Sequence, residues 1–141
     1  MPHDSRFRRQ VAALAFRSTA SGDPEVLVIT SRGTKRTVIP KGWPVKGLSH
    51  REAAAKEAYE EAGVLGEMRR SQIGSYSYWK RHERSFEFLT VDVYALKVNS
   101  ELDDWPEKQS RQREWVPLSE AAERVDEPQL VTLLREFRAK Q

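Results

Sequence analysis

Three carboxylates, Glu57, Glu60 and Glu61, stand within five residues of one another in PKGWPVKGLSHREAAAKEAYEEAGV, residues 40 to 64. Ser49 with Glu52 makes a capping-box pattern, and Gly63 stands where a helix would stop, so the stretch predicts a helix from His50 to Ala62. At about 100° per residue, Ala55, Ala58 and Ala62 fall on one side and the glutamates cluster on nearly the opposite one. Small side chains would let the helix approach a sheet, while the carboxylates point toward the preceding Gly/Pro loop. Like charges at this spacing repel by roughly 0.2–0.5 kcal/mol per pair. A hard divalent cation, Mg²⁺ or Mn²⁺, would neutralise them, since oxygen donors without thiolate or imidazole suit such ions. Mg²⁺ is usually completed by substrate phosphates, so glutamates beside lysines and arginines imply a phosphate-bearing ligand. The alternative is a solvated helix face on which Lys56 pairs with Glu52 and Glu60. The loop context favours the metal.

Composition narrows the chemistry. The 141-residue chain has no Cys, which excludes disulfides, thiol catalysis and thiolate metal sites, and His3, His50 and His82 are too scattered to suggest zinc. Its 38% apolar content suits one domain over residues 1–141. There is no apolar run that could span a bilayer, and MPHDSRFRR leads into QVAALAF without a cleavage-site pattern, so a cytoplasmic protein with no membrane partner is expected. The net charge is only +3, yet basic residues dominate up to Arg84 while ELDDWPE and EAAERVDE weight the remainder acidic. A basic half facing a negative substrate is one reading and an ordinary solvated surface the other. The RFRR run has no interleaved aromatic beyond Phe7, which disfavours nucleic acid as the partner against a small polyphosphate.

The positioning elements follow from periodicity. Residues 10–17 and 25–31 read as strands joined by the turn STASGDP, and TVIP as a short strand ending at Pro40 before the loop. IGSYSYW and SFEFLTVDVYALKV predict two more strands. In the second, Phe86, Phe88, Thr90, Asp92, Tyr94 and Leu96 share one face and Leu89, Val91, Val93 and Ala95 the other, which marks a central strand. REWVPL predicts a last strand, SEAAERV a short helix begun by Ser119, and PQLVTLLREFRAK a helix with Leu130, Leu133, Leu134 and Phe137 on one stripe. The stretch from Asn99 to Gln112 has no periodicity, and a connection of that length is usually functional or disordered. Trp105 within it argues for a packed loop. Strands and helices alternate irregularly, so the predicted class is an α/β sandwich with a mixed sheet. Trp43 and Trp79 read as packing anchors before base-stacking groups, His82 as inert before phosphate-binding, and Arg111 and Arg113 as structural partners of the acidic loop.

Gly42 followed by Lys56-Glu57-Ala58-Tyr59-Glu60-Glu61-Ala62-Gly63-Val64 resembles the Nudix box, with Leu48 in place of its first Glu and Lys56 in place of its Arg. The segments IPKGWP, KRHERS and RQREWVPLSEAAERV, with Ser31-Arg32, look like the diphosphoinositol polyphosphate phosphohydrolase branch. The resemblance implies a Nudix-type α/β/α sandwich and a Mg²⁺ (or Mn²⁺) hydrolase of phosphoanhydride bonds. By matched position, Glu57 and Glu61 would hold metal, Glu60 would be the base and a further metal ligand, and the backbone carbonyl of Gly42 would complete the site. Arg8, Arg32, Lys41 and Arg81 would hold phosphates, while Glu127 falls where that branch places a basic group. The implied substrate is a nucleoside or dinucleoside polyphosphate, such as a diadenosine polyphosphate, with diphosphoinositol polyphosphates second. The alternatives are an RNA 5′-end pyrophosphohydrolase and a non-catalytic nucleotide-binding module.

Overall fold

Strand β1 (Arg9–Arg17) is buried along most of its length because its small apolar side chains face a packed layer on each side. The structure, a computed structural model, describes residues 8–139, so the basic residues before Arg8 and Lys140 at the end of the predicted C-terminal helix lie outside it, while Phe137, Arg138 and Ala139 are not helical. The other strands are β2 (Glu25–Thr30), β3 (Thr37–Val38), β4 (Lys41–Gly42), β5 (Val64–Met68), β6 (Gly74–Arg81), β7 (Phe86–Glu101) and β8 (Arg113–Pro117). Three helices, α1 (His50–Ala62), α2 (Leu118–Arg124) and α3 (Pro128–Glu136), complete the fold. No described helix is long and apolar enough to cross a membrane.

All eight strands join one mixed sheet. β7 is central as its two apolar faces require: it runs parallel to β1, and antiparallel to β6 along its first half and β5 along its second. β1 and β2 are paired only at Phe16↔Val26 and Arg17↔Glu25. Beyond that point β3 holds to β2 and β4 holds to β1, so the segment through Pro40 occupies the divergence between them. This divergence brings Lys41 and Gly42 to the helix that follows.

Alternation along β1 divides the core. Val11, Ala13 and Ala15 face α1 with Leu27, Ile29, Ala53, Ala54, Ala58 and Ala62, while Ala12, Leu14 and Phe16 face α2 and α3 with Leu130, Leu134 and Phe137. The result is the expected α/β/α sandwich. Two strands differ from the sequence reading. β4 lies within the stretch that reads as a loop, since two residues carry no period, and β5 has no sequence signal, with Gly66 interrupting its alternation. Gly66 is nevertheless required there, since a Cβ would run into the backbone of Lys97 at a register shift. α2 begins at Leu118 rather than being capped by Ser119, and Phe137 ends α3 while still packing edge-on to Phe16 at 5.0 Å.

Candidate functional site

Helix α1 is placed by its two ends. Ser49 Oγ accepts from the Glu52 amide at 3.1 Å and the Glu52 carboxylate accepts from the Ser49 amide at 2.8 Å, which completes the predicted capping box. At the other end Gly63 adopts φ 66, a left-handed conformation that glycine takes without strain. The last turn carries no basic residue, so its free carbonyls are satisfied from elsewhere. Arg113 donates to Ala62 and Gly63 at 2.9 and 3.2 Å and to Leu102 at 2.8 Å, and its guanidinium stacks on Trp105 at 4.0 Å. Trp105 itself donates to the Glu61 carbonyl at 3.2 Å. The unpatterned loop is therefore packed, and it is a cap for α1. Arg113 serves backbone carbonyls rather than an acidic loop residue. Arg113→Met is expected to lower stability by about 1–3 kcal/mol, the cost of leaving buried carbonyls unpaired, as read from urea unfolding. An unchanged midpoint would remove it as the cap.

The helix faces differ from the sequence reading. Ala53, Ala54, Ala58 and Ala62 are buried, with Ala55 only half-buried, so the inner face is turned toward Glu61. Glu61 is consequently buried at 6% exposure instead of pointing outward with the other two. Its Oε1 accepts from the Lys41 amide at 3.3 Å. Glu57 lies beside it, and a Cβ on Gly42 would come within 2.7 Å of Glu57 Oε1, so a side chain at position 42 would displace that carboxylate. Glu60 turns away to Lys56, 2.8 Å from its Nζ. The three glutamates thus form a pair and a separate ion pair; among the described residues no three acidic or imidazole groups are gathered in ligand geometry.

The loop adds a carboxylate that sequence reasoning overlooked. The Glu107 amide donates to the Glu60 carbonyl at 2.9 Å, which fixes Glu107 beside the helix, and its side chain pairs with Arg111 Nε at 2.7 Å. Arg111, 12% exposed, also lies 3.7 Å from Glu61 Oε2 and donates to the Thr30 carbonyl at 2.9 Å. The only sequence signal was an acid within a loop of functional length. Burial, then the hydrogen bond with Glu57, pushes Glu61 up to about 8 against the pull of Arg111. Glu57 is also raised, chiefly by burial. A buried carboxylate beside a half-buried one, packed on bare glycine backbone, fits a hard cation of the Mg²⁺ type, which would relieve their repulsion. Gly42→Ala is expected to reduce Mg²⁺ affinity about tenfold or more by displacing Glu57. Calorimetric titration showing wild-type affinity would exclude this contact as part of the site.

The predicted phosphate-binding cations are placed unequally. Lys41 sits inside the site, lowered in pKa by burial, with its Nζ 5.0 Å over the Tyr78 ring. Arg8 stacks on Trp43 at 4.1 Å and is held by Glu87 at 2.7 Å. Glu87 also bonds to His82 at 3.0 Å, and this contact ahead of Arg8 lowers its pKa. His82 therefore has a positioning partner. Arg32 is exposed in the 31–36 turn, and Arg36 of the same turn is the one that reaches Asp126 and Glu127, at 3.3 and 3.5 Å. Arg81 pairs across from exposed Phe86, on the face of Trp79; Lys80 alternates to the face of Tyr76 and Tyr78 and lies 5.9 Å from the Trp43 ring. Trp79 is 65% exposed and touches Phe88 only at the surface, so it is no core anchor.

The NUDIX domain family model matches residues 7–137. The chain belongs to the Nudix hydrolase family. It is 36% identical over 123 residues to Nudix hydrolase 12, mitochondrial, of Arabidopsis thaliana, covering 80% of this chain and 58% of that protein. It is 34% identical over 117 residues to diphosphoinositol polyphosphate phosphohydrolase 2 of Rattus norvegicus, covering 82% and 61%. The chain spans about three fifths of the length of these relatives. Among solved structures, the C. elegans Ap4A hydrolase shares the fold at TM-score 0.64 and 20% identity, over 92% of this chain and 95% of that one. The NUDIX domain of Shewanella oneidensis NrtR, complexed with ADP ribose, does so at TM-score 0.66 and 17% identity, over 92% and 86%.

Proposed function

We propose that this Nudix domain hydrolyses a phosphoanhydride bond in a nucleoside or dinucleoside polyphosphate with Mg²⁺ or Mn²⁺ as cofactor. The observation that carries the reading is the pair of buried Glu61 and half-buried Glu57 against Gly42, an oxygen-only donor set next to Lys41. Glu57 and Glu61 would hold the ion, with the Gly42 carbonyl as a further ligand. When bound, the ion supplies positive charge to the phosphate oxygens and favours hydroxide over water. Glu60, whose Oε2 is occupied by Lys56, would take the proton of the attacking water on its other oxygen. The water oxygen attaches to phosphorus, the bridging P–O bond breaks, and the leaving phosphate carries away its electron pair. Lys41 and Arg8, with Lys80, would stabilise charge on the transferring group. Arg32 and Arg81 would act only on the outer part of a long polyphosphate, since both are exposed.

The names of the rat and nematode relatives support a polyphosphate substrate of one of two kinds, and the acid at Glu127 favours the nucleotide kind. Product formation with Mg²⁺ and with Mn²⁺ should be measured across nucleoside triphosphates, diadenosine polyphosphates, a diphosphoinositol polyphosphate and 5′-triphosphorylated RNA. Highest kcat/KM on a nucleotide anhydride is the expected result. Preference for the inositol compound or for the RNA would replace the substrate, and no turnover with either metal would leave a nucleotide-binding module.

A further inference from the structure

Strand β6 lies at an edge of the sheet and pairs only with β7. The Thr90 amide turns away from β6 to the Arg8 carbonyl, and the amide of Ser77, opposite Thr90, turns the other way and donates to the Gln129 side chain at 2.6 Å. Outward-facing backbone recurs at every second residue, so Trp79 and Arg81 also present N–H and C=O away from β7. No partner for these groups is found among the described residues. Gln129 closes the edge at Ser77 and leaves it open from Trp79 to Arg81.

The side chains around this open stretch are equally unpartnered. Trp79 and Phe86 are 65% and 64% exposed, and the Phe88 ring lies 5.0 Å from the indole on the same face of the sheet. α3 packs on the other face of β6 and α1 over β1, β2, β4 and β5, so no described helix covers these rings. Arg81 shares their face, Lys80 stands on the opposite one, and Arg84 lies in the turn beyond. Neither Arg81 nor Arg84 has an acidic partner among the described residues, and Glu87, across from Lys80, is already held by Arg8 at 2.7 Å and His82 at 3.0 Å.

We propose that the β6 edge from Trp79 to Arg81 takes on an extended acidic segment of another protein as an added strand. Its backbone would pair with the open N–H and C=O groups, and its side chains would alternate between the two faces. An apolar residue would then lie opposite Trp79, over Phe86 and Phe88, with acids opposite Lys80 and Arg81. A second copy of this chain fits less well, because antiparallel pairing of β6 with itself about residue 80 sets lysine against lysine. Single-stranded nucleic acid could stack on the rings but would leave the strand edge unpaired. The inference does not depend on which anhydride the domain hydrolyses.

The test uses capped peptides of Thr and Val flanking a central Leu-Glu-Glu, or Glu-Glu-Leu for the opposite strand direction, titrated into ¹⁵N-labelled protein. One of them should shift the Trp79 and Arg81 amides and slow their hydrogen exchange at least about fivefold. Arg81→Glu and Trp79→Ser should each weaken it about tenfold, the scale of one charge-assisted bond or one buried aromatic contact. The same peptide with Lys for Glu, or with alternate amides N-methylated, should not bind; these controls use wild type, so they hold even where a substitution unfolds the chain. Failure of both acidic peptides to move these amides, or equal binding by the N-methylated or Lys form, would overturn the proposal. An oligothymidylate that shifts the same amides while the peptides do not would make the surface a nucleic-acid platform instead. Slow exchange at Trp79 and Arg81 in the protein alone, with a dimer mass in sedimentation, would give the edge to a second copy.

Discussion

Glu60→Gln should turn over its substrate at least about a hundredfold more slowly than wild type, the usual loss for a group that moves a proton. Its melting temperature and Mg²⁺ affinity should change little. Glu60 is part-exposed and its ion pair with Lys56 is a helix-surface contact, 2.8 Å long and at i, i+4, of a kind that contributes little to stability. The amide cannot accept the proton of water, but it keeps the shape and one oxygen for Lys56. Steady-state kinetics beside thermal melts would decide the matter. Near-normal kcat would remove Glu60 as base and shift attention to Glu107, which the loop holds beside it.

Glu61→Gln should abolish a pH dependence that wild type shows in the presence of a chelator. Burial and the bond with Glu57 raise Glu61 from 4.5 to about 8 in the folded chain. Between those values the folded state binds a proton that the unfolded state has released, so stability falls as pH rises. The contribution is complete below the unfolded value and is lost as pH rises through about 8. We expect the melting temperature of chelated wild type to drop by about 3 °C or more between roughly pH 5 and 8 relative to Glu61→Gln. Saturating Mg²⁺ should restore wild type at the high end, because the ion takes the place of the proton. The same substitution, and Glu57→Gln, should weaken Mg²⁺ at least about tenfold. Parallel melting curves for wild type and Glu61→Gln would show that the buried pair carries no proton.

What could be read along the chain was whatever depends on neighbours within a turn or a strand. The capping box of Ser49 and Glu52, the stop at Gly63, the two-faced pattern of β7 and the apolar stripe of α3 are local, and each formed as expected, except that Phe137 packs from just beyond the end of α3. The cluster of glutamates was likewise visible, and with it the family. Tertiary structure decided how that cluster divides. Rotation of α1 toward the sheet is set by contact of Ala54 and Ala58 with Val11, Ala13 and Leu27, and this buries Glu61 while leaving Glu60 to Lys56. β4 exists because β1 and β2 diverge, a property of the twisted sheet that two residues cannot announce. Lys80 replaces Arg81 toward Tyr78 because the pairing register with β7 selects which of two adjacent cations faces inward. Glu107 and Arg111 reach the site from well beyond the box through the bonds of an aperiodic loop. Residue types and short spacings specify the elements and the kind of chemistry; which charge meets which is fixed by contacts between segments far apart in the chain, where no local period carries a signal.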